Sequence, residues 1–286
     1  MKSPFKNPPA EPFFLKTDSG ERFCLYHAPH SGTHCRGAFI YVHPFADEMN
    51  KSRRMAAMQA RIFAALGFGV LQIDLFGCGD SSGEFKEARW DIWKDDLAVA
   101  MKWLACNVST SISLWGLRLG ALLALDFAKQ TEHPIENILL WQPVLTGESF
   151  LTQFLRLKLA NGMFTSPPEK PSGTHLMRAS LCAGETLEVA GYELSPSLAA
   201  AIDKLKANEL IVTKIPIHWF EAISELGRSM TPAGAKVASI WEQGGANLHV
   251  HLVPCSSFWM TQEISECPEL LSATAKPFTE TRHELQ

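Results

Sequence analysis

Short, nearly all-apolar runs alternate along this chain with longer segments whose apolar residues recur at helical spacing. Four such runs predict buried strands: 38–43, 69–74, 111–115 and 137–141. Three segments between and before them predict helices: 55–66, 90–105 and 119–129. This order of strands and helices is typical of a parallel sheet that helices cover on both faces. We therefore predict an α/β fold with a mostly parallel central sheet.

The same pattern extends to both ends of the chain. Residues 13–16 and 22–27 predict two strands that pair across the turn at 18–20. After residue 210 the strand and helix signals return, as strands at 215–223 and 248–253 and helices at 232–243 and 261–274. Residues 1–142 and 211–286 are therefore expected to form one core.

Residues 143–210 interrupt this rhythm, and we predict that they form an inserted lid over one end of the sheet. Helices are expected at 150–159 and 196–205, with the loop TSPPEKPSGTH between them. The first helix is strongly apolar and also carries Arg156 and Lys158. It could form the roof of an acyl-chain pocket, rest on a membrane surface, or simply face the core.

Composition and charge exclude several classes of protein. The 286 residues are 46% hydrophobic and 20% charged, which excludes a largely disordered chain. The net charge of −4 and the absence of a basic stripe argue against nucleic acid, and no apolar run is long enough for a membrane span. The first twenty residues lack a signal-peptide core, and the seven cysteines form no CxxC pair. A cytoplasmic protein with free thiols is expected.

The segment Gly116-Leu117-Arg118-Leu119-Gly120 lies between a predicted strand and a predicted helix. This order is the nucleophile-elbow arrangement, in which glycines two positions either side of the central residue avoid collisions at a sharp turn. The elbow (residues 116–120) projects its central side chain over the end of the sheet. It also leaves the Leu119 N–H at a helix N-terminus, where it can stabilise an anion.

Two further loops support the elbow in the expected order. The loop at 41–46, which includes His43 and Phe45, follows the third strand, where such folds place a second oxyanion donor. The stretch 74–83 follows the fourth strand and reads D-x-x-G-x-G-x-S-x-G. With these motifs the chain resembles the α/β-hydrolase superfamily over nearly its whole length.

A closer resemblance is carried by VHPFADEMNKSRRM, VLQIDLFGCGDSSGEF, WGLRLGALLAL and PVLTGESFLTQFLRLKLANGM. These segments look like the exosortase A system-associated hydrolases of type 2. That family occurs in bacteria beside exosortase and exopolysaccharide-biosynthesis genes. The resemblance implies a cytoplasmic hydrolase of an ester or thioester that serves surface polysaccharide or protein sorting. A protein partner from that system is then possible.

The residues of a Ser-His-Asp triad are not where this fold needs them. Arg118 occupies the nucleophile position, and a guanidinium stays protonated and cannot attack a carbonyl. Glu225 is the candidate acid after residues 215–223. No histidine stands at 255–259, and the later His283 belongs to a polar tail. The ordinary triad is therefore expected to be absent.

Arg118 has two possible roles. Its planar fork beside a helix N-terminus favours a carboxylate, phosphate or sulfate ligand. Alternatively, it turns aside and pairs with an internal carboxylate such as Asp74 or Asp80. Some negative partner is expected in either case, because an uncompensated cation there is unfavourable.

The remaining candidates also have structural alternatives. His43 is a titratable group facing the pocket or a histidine bonded to backbone. His249 and His251 share one face of a strand, but no third ligand follows at useful spacing, so no metal and no cofactor are predicted. Cys78 is a possible displaced nucleophile, whereas Ser81 and Ser82 are expected to stabilise a turn.

Two classes of function remain open from the sequence. One is a hydrolase or acyl-transfer enzyme with displaced catalytic groups. The other is a non-catalytic relative that keeps the pocket. In such a protein Arg118, Leu119 and Phe45 bind a small anionic or acyl-type ligand, or the chain acts as a scaffold for a partner.

Overall fold

An eight-stranded sheet forms the centre of the fold. The computed structural model describes residues 9–30, 34–162 and 173–279. Its strands are β1 (Glu11–Thr17), β2 (Gly20–His27), β3 (Gly37–Val42), β4 (Phe68–Ile73), β5 (Ile112–Leu117), β6 (Ile138–Trp141), β7 (Leu187–Val189), β8 (Tyr192–Leu194), β9 (Pro216–Ile223) and β10 (Asn247–Pro254). The central sheet has the order β1-β2-β4-β3-β5-β6-β9-β10, and β7 and β8 form a separate hairpin.

The direction of the strands agrees with the sequence prediction. From β4 through β10 the neighbours in the central sheet run parallel, whereas β1 and β2 are antiparallel to each other and β2 is antiparallel to β4. The fold is an α/β-hydrolase fold with a mostly parallel sheet. Because the carboxyl ends of parallel strands meet at one edge, the loops after β3, β5, β6, β9 and β10 gather there.

Helices cover both faces of the sheet, as its apolar strands require. The helices are α1 (Asp47–Ala65), α2 (Trp90–Asn107), α3 (Leu119–Gln130), α4 (Gly147–Gly162), α5 (Thr174–Cys182), α6 (Pro196–Asp203), α7 (Pro232–Gln243) and α8 (Pro268–Thr279). On one face Phe63 of α1 and Phe278 of α8 pack around Phe39 of β3. On the other face α2, α3 and α7 contribute residues such as Trp93, Leu122 and Trp241 to a second core. None of the described helices is long and apolar enough to cross a bilayer.

The chain between β6 and β9 contains more structure than expected. It forms α4, α5, the β7–β8 hairpin and α6, and residues 163–172, which hold most of the TSPPEKPSGTH loop, lie outside the described residues. Leu151 and Leu155 of α4 are buried with Leu198 and Ile202 of α6. Helix α5 and the hairpin were not predicted, because α5 buries only Leu181 and so has no apolar stripe, and each strand has only three residues. Segments this short show little hydrophobic periodicity.

Two helices begin more than a turn away from the predicted residue. Helix α1 begins at Asp47, eight residues before the expected start at 55, with Asp47 and Glu48 in its first turn. Acidic residues favour a helix N-terminus electrostatically, although they interrupt the apolar pattern. The last helix begins at Pro268 rather than at 261. Proline is well suited to a first helical position because its missing N–H needs no partner there.

Candidate functional site

The elbow is built where β5 ends and α3 begins. Arg118 has φ 56° and ψ −118°, a backbone conformation that L residues rarely adopt. A Cβ on Gly116 would come within 2.5 Å of the Gly120 carbonyl oxygen. A Cβ on Gly120 would come within 2.4 Å of the carbonyl oxygens of Val42 and His43. Both glycines are therefore required by close backbone approach, and the turn directs the Arg118 side chain away from the sheet.

Arg118 contacts two side chains that the sequence did not suggest. Its Nε lies 3.4 Å from Oε1 of Glu48, in the first turn of α1. Its Cζ lies 5.4 Å from the ring centroid of Trp259, in the loop after β10. Arg118 thus pairs with an internal carboxylate, but the two examples named from the sequence were wrong: Asp74 pairs with Arg53 at 2.8 Å, and the Asp80 backbone N–H donates to the same Asp74 carboxylate.

Glu48 is an unusual carboxylate because only one of its oxygens has a partner. Oε2 is buried and makes no hydrogen bond within the part of the chain that the structure describes. Burial raises the pKa of Glu48, and the neighbouring Arg118 opposes that rise. The long single contact at 3.4 Å is weaker than a bidentate arginine–carboxylate pair. The ion pair therefore compensates charge at the elbow only in part.

A cavity of about 110 Å³ opens at this ion pair. Its walls are mostly apolar and come from the β3–α1 loop, from α4 and from the loop after β10: Phe45, Ala46, Phe150, Phe154, Leu157, Trp259 and Met260. The ring of Phe45 packs edge-on against Phe150 and Phe154, at 5.6 and 5.0 Å between centroids. A cavity that holds one water molecule has a volume of about 10–15 Å³, so this larger cavity has room for a ligand part of several heavy atoms.

Polar groups line the other side of the same cavity. They are Arg118, Glu48, Asp47, Lys51 and Gln153. Lys51 pairs with Asp47 at 2.8 Å, on the rim formed by α1. The two terminal nitrogens of Arg118 make no hydrogen bond to any of the described residues, and Arg118 is 13% exposed in this cavity. The arrangement therefore presents unused guanidinium donors at the base of an apolar pocket.

The sequence places this fold and this site within a known family. The model of Hydrolase_4, described as serine aminopeptidase S33, matches residues 33–241, which is nearly three quarters of the chain. The chain belongs to this family. Membership in the serine aminopeptidase S33 family agrees with the eight-stranded sheet and with the glycine-flanked elbow.

Individual relatives are distant. The human protein ABHD12B is 27% identical over 167 residues, half of this chain, and the match covers 44% of that protein's own length. Est1E from Butyrivibrio proteoclasticus, solved with ferulic acid bound, has a TM-score of 0.66 at 15% identity, covering 93% of this chain and 97% of that one. A monoglyceride lipase from Saccharomyces cerevisiae has a TM-score of 0.65 at 13% identity, covering 97% of each chain. These structures share the α/β-hydrolase fold.

The structure does not bring the candidate triad residues of the sequence analysis together. Glu225, the candidate acid, is 66% exposed and pairs with Arg228 at 3.0 Å, so it faces solvent. In the loop after β10, Phe258 and Trp259 are both buried, and Trp259 lies over Arg118. His283 lies outside the described residues. Nucleophile, acid and base are thus not assembled by the residues that the structure describes.

His43 and Leu119 line a separate, smaller cavity rather than the Arg118 cavity. His43 Nδ1 donates to the Pro44 carbonyl oxygen at 2.7 Å, and Nε2 accepts the Leu75 backbone N–H at 3.2 Å. Burial lowers the pKa of His43, which keeps this imidazole neutral. Both ring nitrogens are therefore occupied by backbone. Leu119 lines a much smaller void beside His43 and Phe45.

The other nucleophile candidates are held in structural contacts. Burial raises the pKa of the Cys78 thiol far above neutrality. Ser81 Oγ donates to the Asp74 carbonyl oxygen and accepts the Phe23 N–H, while Ser82 Oγ accepts the Glu21 N–H. These hydrogen bonds fasten the 74–83 turn to β2, so neither hydroxyl is presented as a nucleophile.

The histidines of β10 form a cluster with a third histidine that the sequence analysis missed. His218 of β9 lies between His249 and His251, and its Nδ1 is 3.1 Å from Nε2 of His251. Strand pairing in register brings His218 opposite His249. The three rings stack nearly parallel, and no group of three ligands suited to a metal occurs among the described residues.

Proposed function

We propose that this chain is a non-catalytic member of its hydrolase family whose elbow cavity binds an anionic ligand with an apolar, acyl-type part. One observation carries the proposal. The residue in the nucleophile position is Arg118, which lines a mostly apolar cavity, and its terminal nitrogens have no hydrogen-bonding partner among the described residues. A guanidinium fork binds a carboxylate or phosphate through two parallel hydrogen bonds.

Loss of the triad supports binding rather than ester cleavage. Triad members act as a unit, so loss of nucleophile and base together removes the ordinary acyl-enzyme route. Arg118 replaces the serine, Trp259 lies in the loop where the histidine is expected, and Glu225 is exposed to solvent. Ser81, Ser82 and Cys78 do not replace the nucleophile, because each is already hydrogen bonded in a turn or held as a protonated thiol.

The electrostatics of the cavity favour an anion despite Glu48. Glu48 uses a single oxygen at 3.4 Å, and the unpaired Oε2 makes its ionised form costly. A ligand carboxylate can bind Nη1 and Nη2 while Glu48 keeps Nε. Lys51 at the rim is already paired with Asp47, so Arg118 is the cation that the ligand would meet. The apolar part of the ligand then lies along Phe45, Phe150 and Phe154.

In this proposal residues 143–210 act as a lid. Helix α4, the first element of that segment, supplies Phe150, Gln153, Phe154 and Leu157 to the cavity wall. The ligand site thus lies between the hydrolase core and this segment. Movement of α4 away from Phe45 would open the apolar side of the cavity while leaving Arg118 in place on the elbow.

The resemblance to exosortase A system-associated hydrolases supports a cellular setting for this proposal. We infer a cytoplasmic role beside surface-polysaccharide synthesis or protein sorting, with a protein of that system as a possible partner. An anionic acyl-type ligand is compatible with that setting, because the bound ligand could control whether the chain binds its partner protein.

Hydrolysis of an ester or thioester by displaced groups is the second candidate, and family membership is the observation that favours it. Labelling of the purified protein with a fluorophosphonate probe, mapped by mass spectrometry, separates the two candidates. We expect no labelled serine in this protein, while a control hydrolase treated in parallel is labelled. Labelling at one serine would establish an activated nucleophile and reject the non-catalytic proposal.

Binding is tested by calorimetric titration of octanoate into wild type and Arg118→Ala. A charge-assisted hydrogen bond is worth about 1.5–3 kcal/mol, so the variant should bind about 10- to 150-fold more weakly. Arg156→Ala is the matched control, because Arg156 is an exposed cation on α4 that does not line the cavity. Equal octanoate affinity of wild type and Arg118→Ala would contradict the proposal.

A further inference from the structure

Strand β10 forms one edge of the central sheet, and β1 forms the other. Among the described strands β10 pairs only with β9, along its whole length of eight residues. Its sequence, NLHVHLVP, contains no Asp, Glu, Lys or Arg. An uncharged edge strand of this length is a template for a further strand, because its outer backbone groups can continue the ladder.

The opposite edge of the sheet carries the residues that commonly prevent such pairing. Strand β1 contains Glu11, Pro12 and Lys16, and all three are exposed. Charged side chains and proline at an edge disfavour the addition of another strand. In β10 the one proline is the last residue, Pro254, and nothing before it gives that protection. Of the two edges, β10 is therefore the one suited to pairing.

The ladder between β9 and β10 shows which backbone groups of β10 point outward. The Cys255 N–H, one residue beyond β10, donates to the carbonyl oxygen of Ile223 at 3.0 Å. In a parallel ladder every second residue of a strand bonds to the same neighbour, so the odd-numbered residues of 249–253 bond to β9. The even-numbered residues of 248–252 therefore direct their backbone groups away from the sheet.

We propose that two copies of this chain pair antiparallel through β10, about a two-fold axis at Val250, and form one continuous sheet. The outward N–H groups of Val250 and Leu252 have no hydrogen-bonding partner among the described residues. In the pair, the two Val250 residues exchange both backbone hydrogen bonds, and each Leu252 N–H donates to the Leu248 carbonyl oxygen of the other copy. Each copy contributes the same patch, as a two-fold interface requires.

The side chains of β10 match each other about this axis. Leu248, Val250 and Leu252 share one face of the strand, on which Val250 is 38% and Leu252 is 40% exposed. Antiparallel pairing places Leu248 of one copy beside Leu252 of the other, so apolar groups cover one another. On the opposite face His249 of one copy lies beside His251 of the other. An uncharged edge offers a charged segment no electrostatic gain, whereas a second β10 complements it along its length.

The interface is small and separate from the elbow cavity. Stable dimers bury about 1,200–2,000 Å² in total, and smaller interfaces belong to weak or transient complexes. We therefore expect a monomer–dimer equilibrium in the micromolar range rather than a permanent dimer. No residue of β10 lines the elbow cavity, so pairing through this edge is tested independently of the anion site.

Sedimentation velocity of the full chain at pH 8, from low to high micromolar concentration, tests the proposal. Wild type should shift from monomer toward dimer as the concentration rises. Val250→Pro should stay monomeric, because proline removes only an outward N–H and is tolerated on an edge strand. Val250→Thr, which is also β-branched and keeps that N–H, is the matched control and should associate like wild type. A wild type that stays monomeric, or equal association of Val250→Pro, would overturn the proposal.

A disulfide test does not depend on how Val250→Pro folds. In a hydrogen-bonded antiparallel pair the opposed Cα atoms lie about 5.5 Å apart, a distance that a disulfide can span. Mild oxidation of Val250→Cys should therefore join two chains through residue 250, as identified by peptide mapping with mass spectrometry. Phe14→Cys is the matched control on β1, where Phe14 is 54% exposed, and it should give no such link between chains. Absence of the 250–250 disulfide in folded Val250→Cys would contradict the two-fold axis at Val250.

Discussion

The ion pair between Arg118 and Glu48 makes a prediction about stability that needs no ligand. Two unit charges 3.4 Å apart attract each other by about 5 kcal/mol at an effective dielectric constant of 20. Solvent reaches 13% and 18% of the two side chains, and the contact is single and long, so a coupling of about 2–3 kcal/mol is expected. Arg118→Met should therefore destabilise the protein at neutral pH by leaving Glu48 buried and unpaired.

The pH dependence of this loss has a definite sign. Burial already raises the pKa of Glu48 above its ordinary value, and removal of Arg118 raises it further. The folded variant then holds a proton that the unfolded chain has released, so its deficit is largest at high pH. The deficit shrinks as the pH falls toward the ordinary glutamate range. Glu48→Gln removes the buried charge and should largely rescue Arg118→Met.

A double-mutant cycle measures the coupling between Arg118 and Glu48. Wild type, both single variants and the double variant are unfolded in urea at pH 8 and pH 5.5, and circular dichroism monitors the unfolding. The matched control is the exposed pair of Glu225 and Arg228, whose side chains are each 66% exposed at 3.0 Å. That pair should show no measurable coupling. Additive free energies for Arg118→Met and Glu48→Gln, with no dependence on pH, would refute the ion pair as described.

Three further predictions concern the elbow and the histidine cluster. Arg118→Ser should create no esterase, because no base is assembled beside it, and turnover of 4-nitrophenyl octanoate by that variant would show that a base has been overlooked. Gly120→Ala should lower the free energy of unfolding by about 3 kcal/mol or more, since its Cβ would lie 2.4 Å from two carbonyl oxygens. Gly184→Ala, whose Cβ would meet nothing within 4 Å, should lower it by only about 1 kcal/mol through backbone strain. Thermal or urea unfolding measures both variants. Burial, with His251 and His249 nearby, lowers the pKa of His218 to about 4, so the native state resists a proton that the unfolded chain accepts near pH 6.5, and stability should fall as the pH drops from 6.5 to 4. His218→Gln should flatten that fall and the exposed His133→Gln should not, whereas equal acid sensitivity of all three proteins would contradict the assignment.

Local sequence patterns were sufficient for most of the fold. Strands with apolar residues on both faces, such as β3 and β5, are fully buried, which is why their runs stand out. The predicted helix at 90–105 is α2, and its apolar residues at helical spacing are buried: Trp90, Trp93, Leu97, Met101 and Leu104. Helix α5 and the β7–β8 hairpin escaped detection because a helix with one buried residue and strands of three residues have little local pattern.

The candidate site could likewise be predicted only in part from the sequence. The elbow could be predicted because its glycines and Arg118 are contiguous in sequence. Glu48 and Trp259 could not, because Glu48 lies in the first turn of α1 and Trp259 in the loop after β10, both far from Arg118 in sequence. A weak signal existed for Glu48, since it directly follows the Phe45 loop that the motif already indicated. Nothing local marks His218 as a neighbour of His249 and His251, because the strand register places it opposite His249 and diagonal to His251.

The central claim is that Arg118 makes the elbow a binding site for an anion. The most direct measurement is calorimetric titration of the wild-type protein with octanoate and, separately, with octanol, which has the same chain length but no charge. The account predicts that octanoate binds at least about tenfold more tightly than octanol, the lower end of a charge-assisted hydrogen bond. Equal affinity for the two would mean that the cavity recognises only an apolar chain, and it would contradict the assigned role of Arg118.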